Sequence, residues 1–154
     1  MTESFTSRGG RWVVGQNVLM LGVFALGIIF HGPWRSAATL SPGVALFGLG
    51  GWIGIAGVRA LGRNRTPYPK PVEGSTLVQH GVYGRVRHPL YCSVIFISVG
   101  WALAWSSGAA LAVSLALAAL LDAKSRREER WLREKFPAYA AYASRVPRLL
   151  PWIY

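Results

Sequence analysis

The sequence predicts an all-α, polytopic membrane protein of about four transmembrane helices followed by a cytoplasmic helical extension. Three observations lead there. Of 154 residues, 52% are hydrophobic and only 15% charged, too apolar a balance for a soluble domain of this length. The apolar residues are gathered in runs that approach the roughly 20 residues a helix needs to cross a bilayer. The basic residues fall mainly outside these runs.

The first run, residues 13–30, is broken only by Gln16 and Asn17 near its start. Arg8 and Arg11 precede it, but it is longer than a secretory signal core and His31, Gly32, Pro33 and Trp34 offer no small-residue cleavage site. It reads as a retained span. The second, residues 43–61, carries glycine at 43, 48, 50, 51, 54 and 57. Glycine at that density lets another helix backbone come close, or a flat ligand, and helix packing is the ordinary reading. A third span covers 89–105 and a fourth 108–121, separated by little more than Ser106 and Ser107, so the two form a tight hairpin. The alanines of the fourth span read as close packing.

Between spans two and three, the cluster Thr66, Pro67, Tyr68, Pro69, Lys70, Pro71 forbids a helix, because proline restricts itself and its predecessor. It is expected to lie as an extended strap on the cytoplasmic surface. Beyond Leu121 the fourth helix continues as an amphipathic segment with Trp131, Leu132 and Phe136 at helical spacing. Pro137 interrupts it, Tyr139, Tyr142 and Val146 mark a short further helix, and Trp152 and Tyr154 suit an interfacial anchor. Residues 1–154 are read as one membrane domain, with 122–154 its cytoplasmic segment.

The net charge of +11 follows this topology. Of the 17 basic residues, two precede span one, only Arg35 lies between spans one and two, six lie from Arg59 to Arg87, and eight follow span four. The positive-inside rule then puts both termini in the cytoplasm, and an inner bacterial membrane is the expected location. A nucleic-acid role would require a basic face on a soluble fold and is not expected. The single cysteine, Cys92, rules out a disulfide framework and reads as packing, while His31, His80 and His88 lack zinc spacing, so no metal is expected.

Two segments carry candidate chemistry. In RVRHPLY, Arg85 to Tyr91, Pro89 suits the first position of a helix. Arg87 and His88 then stand beside its positive end, where an anion is attracted, although lipid phosphate and a polar cap would explain the same residues. Glu128 and Glu129 lie among Arg126, Arg127, Arg130, Arg133 and Lys135. That pattern is what a solvated, ion-paired helix face gives, and equally what recognition of a cationic ligand group would use. Arg59, in the last turn of span two, either snorkels to headgroups or faces inward as a functional residue.

From about Arg59 onward the chain resembles the isoprenylcysteine carboxyl methyltransferase family, integral membrane enzymes related to the phospholipid N-methyltransferases. The likeness rests on LVQHGVYGRVRHPLY (Leu77 to Tyr91), Gly100 with Trp101, RREERWLREKF (Arg126 to Phe136) and YAAYASRVPRLLP (Tyr139 to Pro151). It implies an enzyme that binds S-adenosylmethionine at its cytoplasmic side and methylates a lipophilic acceptor, a lipid or lipidated small molecule. No obligate protein partner is implied. On matching positions it assigns His88, Pro89 and Tyr91, with Arg87, to the cofactor pocket, together with Glu128 and Glu129. Arg59 takes the place of the family's substrate-orienting arginine and is the expected catalytic residue. With about four spans the chain lacks the additional N-terminal helices of the family's animal members, so the acceptor is expected to be another lipid acid, amine or thiol rather than a prenylcysteine protein.

The residue types suit that cofactor, which presents an ammonium, a carboxylate, a sulfonium and a flat adenine. Methyl transfer to a carboxylate needs no metal and no base, and proceeds by positioning. Rival readings are phospholipid or amine N-methylation, an NADPH-dependent membrane reductase of related core, and a non-enzymatic protein that binds anionic lipid.

Overall fold

The computed structural model describes residues 5–6, 8–32, 37–71 and 73–150. The positions of Arg35 and of the proposed Trp152 and Tyr154 anchor lie outside them. Four main helices follow in order: α1 (Gly10–Ile29), α2 (Ala37–Leu61), α3 (Pro89–Ala104) and α4 (Gly108–Lys135), with a short α5 (Tyr139–Ala143) after them. No strand occurs among the described residues. Single 3-10 turns stand at Gly62–Asn64 and Gly81–Gly84.

Three helical segments are long and apolar enough to cross a membrane, Gly10–Ile29, Ala37–Asn64 and Gly108–Lys135. The fourth apolar helix, α3, has 16 residues, so at ~1.5 Å per residue it reaches only about 24 Å. It packs on α2, α4 and α1, while α4 also packs on α1. The large apolar side chains left exposed lie mostly on α1 and α2, including Val18, Leu21, Ile29, Val44, Trp52 and Ile55. A lipid-facing surface requires this, since these groups would be buried in a soluble fold.

The glycines of α2 make the α2 and α3 pairing close. A Cβ at Gly43 would meet backbone atoms of Gly100 and Ala104, and one at Gly50 would lie 2.9 Å from the Ser93 carbonyl oxygen. Ser93 Oγ donates to the Gly50 carbonyl at 2.6 Å, a contact that only a bare backbone allows. Helix packing is thus what Gly43, Gly50, Gly54 and Gly57 do, whereas Gly48 and Gly51 face open space.

The hairpin expected at Ser106 and Ser107 is present. Ser106 has φ 52°, and the Ser107 side chain caps α4 by accepting from the Ala110 amide. Its hydroxyl also donates to the Leu26 carbonyl, and Ser106 pairs with Thr39, which ties the hairpin to α1 and α2. At the opposite end α4 runs unbroken through the charged segment to Lys135, as its alternation of apolar and charged residues predicts. We take 108–121 as its membrane part and 122–135 as its extension beyond it.

Candidate active site

The site forms where the N-terminal end of α3 meets the extension of α4, and the C-terminal tail determines its geometry. Tyr139, Tyr142 and Val146 form a buried cluster supported by Leu77, Leu132 and Phe136. Tyr142 Oη donates to the Tyr83 carbonyl at 2.6 Å, docking α5 on the 3-10 turn before α3. The tail then passes beside residues 87 and 88, whose amides donate to the carbonyls of Pro147 and Arg148 at 2.9 and 3.0 Å.

This changes the role expected of Arg87. Its Nε donates to Glu129 Oε1 at 2.8 Å, and its Nη1 donates to the carbonyls of Ala143 and Val146. Those carbonyls close α5, whose C-terminal end draws a cation. Together with the engaged amides of 87 and 88, this leaves the guanidinium inside an internal ion pair instead of offered to an anion. The two amides at the head of α3 and the Nε and Nη1 donors of Arg87 are thus already taken within the protein.

Glu129 completes that internal network. It is 7% exposed, and besides Arg87 it meets His88 Nε2 at 3.3 Å and lies 3.9 Å from Arg148 Nε. Burial alone would raise its carboxyl, but the hydrogen bond and charge of His88, then those of Arg87, outweigh it and hold the group down at about 2. Glu128 points elsewhere. Its Oε2 accepts from Tyr91 Oη at 2.6 Å and stands 3.9 Å from His88 Nδ1. The rings of His88 and Tyr91 stack with centroids 5.3 Å apart, so the imidazole lies between the two acids.

Glu128, His88 and Tyr91 line an open cleft of about 780 Å³, the solvent at its mouth included. Its apolar walls include Leu61, Leu90, Leu132 and Phe136, its aromatic ones Tyr83, Tyr139 and Tyr142, and its polar side Asn64, Thr66, Ser75 and Thr76 of the strap. Arg87 also reaches the wall, with its Nε and Nη1 donors engaged in the internal network. Three expected residues are not in the lining. Glu129 serves the internal network. Pro89 opens α3, is fully buried and packs against α2 near Gly57. Arg59 is exposed in the last turn of α2.

The strap itself is held at both ends of its course. Asn64 and Thr76 exchange two hydrogen bonds, and Lys135 Nζ donates to Ser75 Oγ at 2.8 Å, so the segment closes against α4. Its proline corner is fixed from the other side, with Arg8 lying 4.1 Å over the Tyr68 ring and Pro69 fully buried. Sequence reasoning placed the strap on the surface but did not foresee that it walls the cavity. It also missed Lys124, discussed below.

The profile of the phospholipid methyltransferase family aligns with residues 38–139, from α2 to the start of α5, and the chain belongs to that family, which includes isoprenylcysteine carboxyl methyltransferase-like members. Its relatives include the cobalt-zinc-cadmium resistance protein CzcN of Cupriavidus metallidurans, 32% identical over 135 residues that cover 78% of this chain and 62% of the relative. The nickel-cobalt-cadmium resistance protein NccN of Alcaligenes xylosoxydans xylosoxydans is 29% identical over 153 residues, covering 97% of this chain and 68% of the relative. The chain thus spans about two thirds of the length of these curated relatives.

Proposed function

We propose that this membrane methyltransferase uses S-adenosylmethionine to methylate a lipophilic acceptor, with a carboxylate as the acceptor group, at the cytoplasmic membrane face. The observation that carries the reading is Glu128, an acid fixed by Tyr91 Oη at 2.6 Å in a cavity with apolar and aromatic walls on one side and the polar strap on the other. The cofactor's cationic amino acid end requires such a carboxylate, and its adenine requires walls like those of Tyr83, Tyr139 and Phe136. When bound, it supplies a methyl group on a sulfonium, activated for displacement without metal or base.

The chain's own part is positional. Glu128 holds the ammonium, His88 and Tyr91 keep Glu128 from turning, and the strap hydroxyls and amide of Asn64, Thr66 and Thr76 offer donors to the carboxylate and ribose. Arg87 and Glu129 keep this frame rigid without touching the ligand. With the cofactor bound, an acceptor oxygen held in line by these residues would take the methyl group, the carbon–sulfur bonding pair remaining on the departing neutral thioether. Holding the pair in line in a dry site supplies most of the acceleration. Arg59, outside the cavity wall at the end of α2, would meet the acceptor carboxylate as it arrives from the lipid side.

A second reading follows from the family itself, whose name specifies phospholipid acceptors; an amine would have to lose a proton before attack. Incubation of the purified protein with lipid extract and methyl-labelled S-adenosylmethionine separates the two. An ester releases its label as methanol in mild base, and an N-methyl group does not. Equilibrium binding of S-adenosylmethionine beside NADPH tests the cofactor, and binding of NADPH alone would overturn the reading. The relatives' names place them in resistance to divalent metals; if this chain serves a similar setting, its loss should alter cobalt or cadmium tolerance through the methylated product.

A further inference from the structure

Lys124 is only 2% exposed, yet it does not line the cavity. A lysine is rarely buried so completely unless its ammonium is well partnered, because the desolvation cost is large. Its partners come from four different elements. Nζ donates to Gln16 Oε1 of α1 at 2.7 Å and to the Pro67 carbonyl of the strap at 3.3 Å. It also lies 5.0 Å from the centre of the Tyr91 ring on α3, close enough for the ammonium to be drawn to the π face. Glu128 is one helical turn further along α4, and is the acid that acts on it.

Neither Gln16 nor the Pro67 carbonyl carries a charge, so the ammonium is compensated by several weak partners instead of one carboxylate. Removing the charge releases all of them together. The strap corner loses its inner tie beneath Pro67, while Arg8 and Tyr68 hold only its outer side. Tyr91 loses the cation behind its ring, and its hydroxyl is the donor that fixes Glu128.

We propose that Lys124 is a positioning residue of the cavity: its ammonium pins the strap's proline corner to α1 and, through Tyr91, keeps Glu128 aimed at the ligand. This rests on the reading of the cavity as a cofactor site for its second half, and on geometry alone for its first. The residue touches neither ligand nor reacting atoms.

The test uses the full chain in detergent, with Lys124→Met, Lys124→Arg and Lys124→Gln. Hydrogen exchange of peptides covering residues 66–78 reports the strap without any ligand. Lys124→Met and Lys124→Gln should speed it by about fivefold or more while peptides within α1 to α3 keep their protection, and Lys124→Arg should restore most of it. Unchanged strap exchange in both neutral variants overturns the proposal, and since Gln keeps a donor, a folding failure of Met alone does not prevent the decision. The second measurement is S-adenosylmethionine affinity. Lys124→Met should weaken it by about tenfold, yet add little on top of Glu128→Gln, because the two act in one chain of contacts. Losses that add fully would show that Lys124 acts merely on folding and would overturn its link to Glu128. If the unmodified protein binds no S-adenosylmethionine, the functional reading fails, and strap exchange still decides the positional role.

Discussion

The two adjacent glutamates should respond to the same substitution in opposite ways. Glu129→Gln removes the charge that neutralises Arg87, a guanidinium only 10% exposed whose remaining acceptors are two carbonyls. The magnitude can be reached by two routes. The Glu129 carboxyl sits at about 2 against 4.5 when free, and at ~1.4 kcal/mol per pKa unit this amounts to roughly 3–4 kcal/mol. Breaking one side of a buried pair independently costs roughly 3–5 kcal/mol. Glu129→Gln should therefore lose roughly 3–4 kcal/mol of unfolding free energy. Glu128, with 24% of its side chain exposed at the cavity, should lose less than about 1 kcal/mol as Gln and about tenfold or more in S-adenosylmethionine affinity. Denaturant unfolding in mixed micelles, followed by circular dichroism, measures the first quantity, and calorimetric titration the second. If Glu129→Gln unfolds within about 0.5 kcal/mol of the native chain, or if Glu128→Gln is the less stable of the two, the division between a structural and a ligand-facing acid is wrong.

Acid should act through the same network: because the Glu129 pKa is lowered on folding, its stabilising contribution is complete above about 4.5 and is lost as pH falls toward about 2, so Glu129→Gln should flatten that limb of a pH–stability curve. Tyr91→Phe removes the hydroxyl that fixes Glu128 and should weaken cofactor binding by about 1–2 kcal/mol with folding retained; unchanged affinity would return Tyr91 to packing. Gly50→Ala places a methyl against the Ser93 carbonyl and should destabilise, whereas Gly48→Ala meets open space and should be neutral or gain up to about 1 kcal/mol, as thermal unfolding of the pair will show. Arg59→Lys should leave cofactor affinity unchanged and lower turnover by about tenfold if a two-pronged grip on the acceptor carboxylate matters, and full turnover in Arg59→Ala would reduce the residue to a topology signal.

Much of the fold was legible because lipid makes long apolar runs unambiguous. The helices agree with the apolar runs to within a few residues, except that α2 begins at Ala37 and carries Pro42 inside it, six residues ahead of the run at Gly43. The continuation of α4 to Lys135 and the short helix at Tyr139 were also readable, from helical spacing and from Pro137. The site was readable in part. His88, Tyr91 and Glu128 do meet at one cavity, but the sequence could not separate Glu128 from its neighbour. On a helix, adjacent residues point about 100° apart, and which of them faces the cavity depends on how α4 is rotated against α3. The internal partners of Arg87 were hidden for a different reason. Local spacing does not reveal that residues 146–148 return to take the amides of 87 and 88 and that the end of α5 takes the guanidinium. Lys124 left a usable signal: it follows the buried Leu117 and Leu121 on the same stripe of α4, where a surface lysine has no place.

Charge pairing explains why the cavity has the polarity it does. Arg87 and Glu129 neutralise each other, Arg148 lies 3.5 Å from Asp122, and Lys124 is spent on α1 and the strap. Glu128 is the one carboxylate among the lining residues, with His88 and Arg87 beside it. A ligand cation is favoured there, and a ligand anion must be satisfied by neutral donors. Among the lining residues these lie chiefly on the strap, at Asn64, Thr66, Ser75 and Thr76. If the cavity holds the proposed cofactor, Glu128 and the strap would each engage one end of it, and the ties at Lys124, Lys135 and Arg8 would serve that recognition together.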